Sequence, residues 1–367
     1  MTRFLKQLLV LALVPAALCV SLCGLILWHS GELAGPQAVV ERTLSESDVI
    51  SELNFWGNDY TTWYKTYMTK HHKASVLVLG NSRVMQIREC MMPGADFYNA
   101  GGAIAYLSHY SSFLNGLSDD ELPEVLVLTL DSYFFIYQWN YREEAEKDWT
   151  AAYTEIDPLH ALTIVARRIG SGAIKPLQIL RSDKRYIGLP ACARGSGFSA
   201  DGSYNYGTSA EQIDLTFMDS MGRMTVGGTR FERADYIDWD TMSQLDQLLT
   251  LCDEKGIQVV AFMPPYAPTV YHAMVDSGWY GYLDYAFPAV SEIFAAHPGH
   301  VVFDFTYMPD TTDEMYLDGF HGGDVVYAMM LKQMVQAGVL TDYTSVEILD
   351  ELIASARNPR VIDPPAA

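Results

Sequence analysis

The stretch Ser75-Val-Leu-Val-Leu-Gly-Asn-Ser82-Arg83 decides how this chain is read. Ser75–Leu79 is a short apolar run of β character, and Gly80-Asn-Ser stops it abruptly. A hydroxyl, Ser82, thereby stands at a strand tip, and Val84 to Cys90 is expected to open a helix. In a doubly wound sheet, ligands bind beyond the carboxyl ends of the parallel strands, so Ser82 occupies the position where such a fold keeps its chemistry.

Working outward, the chain alternates buried runs with helical patterns. Asp96-Phe-Tyr-Asn99, ending in Ala100-Gly101-Gly102, reads as a second strand, and Val125–Leu130 as a third. Gln258–Met263, stopped by Pro264-Pro265, is a fourth, and Val301–Phe305 a fifth. Tyr106–Leu117 reads as a crossover helix. Asp240–Glu254 follows, with Met242, Leu245, Leu248, Leu249 and Cys252 at helical spacing and Gly256 as its stop; Asp324–Gln336 is the last. Continuous apolar strands alternating with helices predict an α/β fold, a doubly wound, mostly parallel five-stranded sheet in a flavodoxin-like three-layer arrangement. That domain spans 75–340, with a tail over 341–367. The alternation lapses from Tyr133 to Ile237, so an insertion with its own helices, Pro158–Arg168 among them, is expected there. Its Gly-, Ser-, Tyr- and Arg-rich half from Ala193 onward reads either as a lid or acceptor platform or as plain surface loop.

The N-terminus is a separate physical object. Leu8 to Trp28 carries no charge, Arg3 and Lys6 precede it, and Glu32 and Glu41 follow. About twenty apolar residues cross a bilayer core as a helix, and the basic flank places the N-terminus inside. Residues 1–30 are therefore expected to be an anchor rather than a cleaved signal peptide, whose apolar region is shorter. Residues 31–74 form a membrane-proximal segment. In it Phe55, Trp56, Tyr60, Trp63, Tyr64 and Tyr67 recur near helical spacing, which suits a helix packed on the body or an aromatic belt at headgroup level.

The 367 residues are 49% hydrophobic and 19% charged, enough to bury a sizeable core, and their formal net charge is −21. A field of that sign repels phosphate backbones, so nucleic acid is not an expected partner. The exported body holds only Cys90, Cys192 and Cys252, too few and too scattered for a disulfide framework. No ligand spacing calls for a metal, and no glycine fingerprint for a dinucleotide cofactor.

A serine hydroxyl becomes a nucleophile only when an oriented base takes its proton. Near the C-terminus, Asp318-Gly-Phe-His321 can supply both parts, since a glycine turn places the two side chains on one side and the carboxylate fixes the imidazole tautomer.

Gly80-Asn-Ser82-Arg, the Asn99-Ala-Gly101 turn and Asp318-Gly-Phe-His321 occur in the order and strand positions of the SGNH/GDSL hydrolase superfamily. With one N-terminal membrane helix, the chain most resembles the membrane-anchored branch, the DltD-like and polysaccharide O-acetylation proteins. The resemblance covers roughly Ser75 to Gly338 apart from the insertion. It implies Ser82 as the acyl-accepting nucleophile, His321 as general acid/base, Asp318 as its orienting partner, and the N–H groups of Ser82 and Gly101 as an oxyanion hole. The family's third block usually ends a strand in Gly-x-Asn-Asp, whose Asn donates to the oxyanion. Here that strand ends Thr129-Leu-Asp131-Ser132. An ionised Asp131 cannot take over the role, and a lost donor costs about 2.7–4 kcal/mol of transition-state stabilisation. Ser132, Tyr133 or Arg83 are the substitutes nearest in sequence; Asp131 is left to bind an acceptor hydroxyl or to serve structurally, and Tyr266 to line the site or make a rigid turn.

The resemblance implies a bacterial cell-membrane protein, single-pass with its catalytic domain outside. It would take an acyl group from a multi-span membrane-bound O-acyltransferase and pass it to a surface glycan or teichoic-acid-like acceptor. An anchored carbohydrate esterase with the same triad, or a non-catalytic assembly module, are the alternatives. On so acidic a chain, an anionic acceptor would need a local basic patch, for which Arg181, Lys184, Arg185 and Arg194 are available.

Overall fold

The computed structural model describes residues 2–56, 59–142, 153 and 155–363, without the side chains of residues 1–6, 8–10 and 59. The basic side chains of Arg3 and Lys6, on which the expected orientation rests, thus lie outside the described residues, as does part of the insertion, 143–152 and 154. Two compact units divide the chain: Met1–Tyr60 with Ala152–Ala200 and Tyr204–Ser209, and Thr61–Ala151 with Asp201–Ser203 and Ala210–Ala367. The insertion is thereby shared between them.

The larger unit is built on five parallel strands, β1 (Val76–Gly80), β2 (Phe97–Gly101), β3 (Val125–Thr129), β4 (Gln258–Met263) and β5 (Val301–Asp304). Their order is β2-β1-β3-β4-β5, the flavodoxin-like order whose switch point lies between β1 and β3. Every residue of β1, β2 and β3 is buried, as expected of strands covered on both faces. The expected α/β class and parallel sheet are therefore observed.

Local chemistry sets the helix ends. Trp239–Lys255 begins where Asp238 accepts the Asp240 N–H at 3.1 Å and ends at Gly256 in the left-handed region. Two helices between β4 and β5 go beyond the sequence reading: Pro268–Ser277, with proline at its first position and Gly278 past its end, and Leu283–Ala296. The tail over 341–367 carries a helix, Val346–Ala354, packed on Asp324–Gln336.

The helix expected over Val84 to Cys90 is replaced by two 3-10 turns, Ser82–Val84 and Glu89–Met91. The cause is Asn99 on β2. Its Nδ2 donates to the carbonyls of Val84 (2.8 Å) and Ile87 (2.7 Å), oxygens that an α-helix would spend on its own N–H groups. The helix Val346–Ala354 packs against the second turn in place of a crossover helix.

The smaller unit contains the helix Thr2–His29, whose segment Leu11–His29 is long and apolar enough to cross a membrane. Its upper turns are exposed (Leu11, Leu18), whereas Cys23, Ile26 and Leu27 are buried against Ala161, Val165, Ile179, Leu189 and Cys192. A mixed four-stranded sheet of two-residue strands runs Tyr186–Ile187, Ile50–Ser51, Gly197–Phe198, Tyr204–Asn205. Of the aromatic run, Phe55 and Trp56 precede the helix Asp59–His72, on which Tyr60 and Tyr64 are buried while Tyr67 is exposed and stacks on Trp63.

Candidate active site

β1 delivers Ser82. Its final residue, Gly80, pairs with Gly101 of β2, and the chain then turns through Asn81. Asn81 is buried and braces the turn from both ends. Its Oδ1 accepts the Arg83 N–H at 2.8 Å, while its Nδ2 donates to Asp131 Oδ2 at 2.5 Å and to the Tyr133 hydroxyl at 2.9 Å. Ser82 itself is half-buried, with Arg83 and Val84 fully buried behind it.

His321 arrives from the turn between β5 and the helix Asp324–Gln336. Asp318 Oδ1 accepts the N–H groups of Phe320 (3.0 Å) and His321 (2.8 Å), an Asx turn that frees Oδ2 to meet His321 Nδ1 at 2.8 Å. Gly319 takes φ +81°, and a Cβ there would fall 2.6 Å from Val270 Cγ2, so the turn requires glycine. Ser220 Oγ donates to the Asp318 carbonyl at 2.6 Å and anchors the turn from outside.

Across this arrangement Ser82 Oγ lies 2.8 Å from His321 Nε2. With its Nδ1 proton given to Asp318, the neutral imidazole presents Nε2 as an acceptor for the serine proton. Burial pushes the Asp318 carboxyl up, but the imidazole beside it and the two backbone donors outweigh burial and hold it well below the usual carboxylate range. The carboxylate stays charged and acceptor-only, as an orienting partner must. The three residues singled out from the sequence are brought together in the order serine, imidazole, carboxylate.

The remaining sequence candidates have other positions. Arg83 is fully buried: it donates to Asp131 Oδ1 (2.6 Å) and to the carbonyls of Pro264 (3.0 Å) and Pro265, and its Cζ lies 4.3 Å from the Tyr266 ring centroid and 4.4 Å from that of Phe320. Burial alone would lower the affinity of its guanidinium for a proton; Asp131 more than restores it. Asp131, equally buried, is the counter-ion of this cation and the acceptor for Asn81, so its charge is compensated within the protein. Tyr266 forms one wall of the cation's cage rather than a wall of an open site. Ser132 and Tyr133 are buried as well, the former turned to Met263 Sδ at 3.9 Å. Gly101 directs its N–H to Asn99 Oδ1 at 2.7 Å, so the second donor of the implied oxyanion hole is already engaged. The Ser82 N–H stands at the start of a 3-10 turn, where a donor has no partner within the turn.

Sequence reasoning missed the part played by Phe320. Its ring meets His321 edge-on at 5.0 Å and caps Arg83, joining the histidine turn to the serine turn. It also missed Arg230, whose guanidinium lies 5.9 Å from the Phe320 ring on two consecutive residues of positive φ, Thr229 and Arg230. Asn81 carried a legible signal, since Asn at a strand end before a turn is a standard cap. Among the described residues no cluster of His, Cys, Asp and Glu could hold a metal ion.

No family model matches this chain, and no curated protein matches it either.

Proposed function

We propose that this protein is a membrane-anchored serine acyltransferase of SGNH/GDSL type, related to the DltD-like and polysaccharide O-acetylation proteins. The observation that carries this reading is the continuous chain Ser82 Oγ–His321 Nε2–Asp318, with 2.8 Å at each link. Ser82 attacks the carbonyl carbon of the acyl donor while its proton passes to His321 Nε2. The leaving group departs with that proton, and an acyl-serine ester remains. An acceptor hydroxyl then attacks the ester, gives its proton to His321, and restores Ser82.

The apolar N-terminal helix supports an anchored acyltransferase over a freely diffusing esterase, which needs no anchor. A multi-span membrane-bound O-acyltransferase is then the supplying partner and a surface glycan or teichoic-acid-like polymer the acceptor. The body then lies outside the bacterial cell membrane, with the N-terminus in the cytoplasm. Surface-glycan O-acyl content tests the reading in cells carrying the wild type, a deletion or Ser82→Ala. Transfer lowers the content equally in deletion and variant. An esterase raises it in both, and a non-catalytic assembly module leaves the Ser82→Ala cells at the wild-type level.

A further inference from the structure

The smaller unit holds two adjacent cavities, of about 500 and 390 Å³, that share Gln178, Ala193 and Arg194 as a common wall. Arg181 lines the first, Arg168 and Lys175 the second, and no carboxylate lines either. Among the described residues, no acid lies within ion-pair distance of Lys175, Arg181 or Arg194. Glu52, whose carboxyl feels Arg194, is turned to the Tyr204 hydroxyl at 2.8 Å and Ser196 Oγ at 3.4 Å. On a chain of net charge −21, this is a local concentration of positive charge without a direct ion-pair partner.

Its level relative to the apolar helix is fixed. Gly188 N–H donates to the Ser30 carbonyl at 2.6 Å, and Leu189 N–H to Glu32 Oε1 at 2.9 Å, so the cavity wall at Leu189 is tied to the residues just past His29. The same lobe covers Cys23, Ile26 and Leu27, while Leu11 and Leu18 higher up the helix stay exposed. Six residues of helix from Cys23 rise about 9 Å, comparable to the depth of one headgroup layer. On the two helices that pack against this segment, Leu159 (75%) and Leu177 (66%) are left exposed, apolar side chains beside a row of cations. Basic residues over an apolar edge are the composition that seats a protein surface in the interface of an anionic membrane.

We propose that the two cavities form a headgroup site for an anionic phospholipid of the leaflet in which the helix Thr2–His29 ends, with Arg181, Arg194, Lys175 and Arg168 receiving the phosphate. The inference rests on reading Leu11–His29 as a membrane span and is independent of the chemistry at Ser82. A bound lipid would hold this lobe against the membrane, where the acidity of the whole chain would otherwise repel it from an anionic surface.

The test uses the full chain in nanodiscs of phosphatidylcholine alone or mixed with phosphatidylglycerol, followed by release into detergent and native mass spectrometry of retained lipid. Failure to enter the phosphatidylcholine discs would overturn the membrane span itself. Given insertion, the site predicts selective retention of phosphatidylglycerol. In Arg181→Gln/Arg194→Gln the preference should fall by about thirtyfold, the worth of two basic residues at an anionic surface. The charge-keeping pair Arg181→Lys/Arg194→Lys retains most of it, and Lys255→Gln in the larger unit leaves it intact. Equal retention of the two lipids, or undiminished preference in the Gln pair, would overturn the proposal. So would displacement of the lipid by soluble glycerol phosphate at equal concentration, which would reassign the cavities to a soluble phosphate ligand.

Discussion

Arg83 and Phe320 stack, with the guanidinium carbon 4.4 Å from the ring centroid. One residue follows the serine in sequence and the other precedes the histidine, so this contact joins the two turns whose side chains must meet. Tyr266 meets the same cation at 4.3 Å, its ring centroid 5.8 Å from that of Phe320, and Asp131 neutralises it. The triad is thus held from behind by a buried ion pair in an aromatic cage.

The ion pair should behave as a unit. Removing one partner strands a buried charge, so Arg83→Met or Asp131→Ala should each destabilise the larger unit by about 3–5 kcal/mol. The double variant Arg83→Met/Asp131→Ala should cost well less than the sum, because no bare charge is left. Chemical denaturation of the full chain in detergent measures all three. Additive losses would mean that the two side chains do not depend on one another.

Phe320 should matter for both stability and reactivity. Truncating a fully buried Phe to Ala costs about 3–5 kcal/mol, whereas Phe320→Leu should cost about 1.5 kcal/mol or less. The alanine variant also loses the edge contact that seats the His321 ring at 5.0 Å. Its rate of serine modification by a fluorophosphonate should therefore fall more than that of Phe320→Leu in conditions where both remain folded. Equal rates would show that the ring does not orient the histidine.

The strands were legible because their signal is local: short runs rich in apolar residues, most of them stopped by glycine, proline or a polar turn. The triad was legible for a related reason, since both of its turns carry their glycines and polar caps within four residues. Long-range features carried no such mark. The carbonyls of Val84 and Ile87 are claimed by Asn99 from the next strand, and nothing in Val84 to Cys90 announces that its helix will be undone. Arg83 stands in the sequence as one possible substitute donor, and Tyr266 as either a site-lining residue or part of a rigid turn. Their burial follows only once Asp131 is seen as a counter-ion rather than as a missing amide. The helices Pro268–Ser277 and Leu283–Ala296 were a different kind of miss, since Pro268 and Gly278 mark the first of them plainly.

Asp318 sets a pH signature. Its folded-state affinity for a proton is depressed, so the stability that it contributes is present above the unfolded carboxyl pKa and is lost only as pH falls through the lower folded value. Across about pH 4 to 9 the group stays ionised. The stability lost in Asp318→Asn relative to wild type should accordingly persist across that window, as read by chemical denaturation, and shrink only at more acid pH. Convergence of the two proteins within the window would mean that Asp318 takes up a proton there.

Gly319 tests the turn itself. A Cβ at this position meets Val270 and Phe217 at 2.6 and 3.0 Å, on a backbone of φ +81°. Gly319→Ala should therefore cost about 1–3 kcal/mol of strain and slow serine modification, while leaving the Arg83 cage in place. Unchanged kinetics would show that the turn tolerates a side chain and that its geometry is not what holds His321.

The central claim is that Ser82 is a nucleophile activated by His321. Intact-protein mass spectrometry after exposure to a fluorophosphonate tests it most directly, with peptide mapping of the modified residue. One covalent adduct is expected, on Ser82, absent from Ser82→Ala and formed far more slowly in His321→Ala. No adduct on the folded wild type, or an adduct that persists in Ser82→Ala, would contradict it.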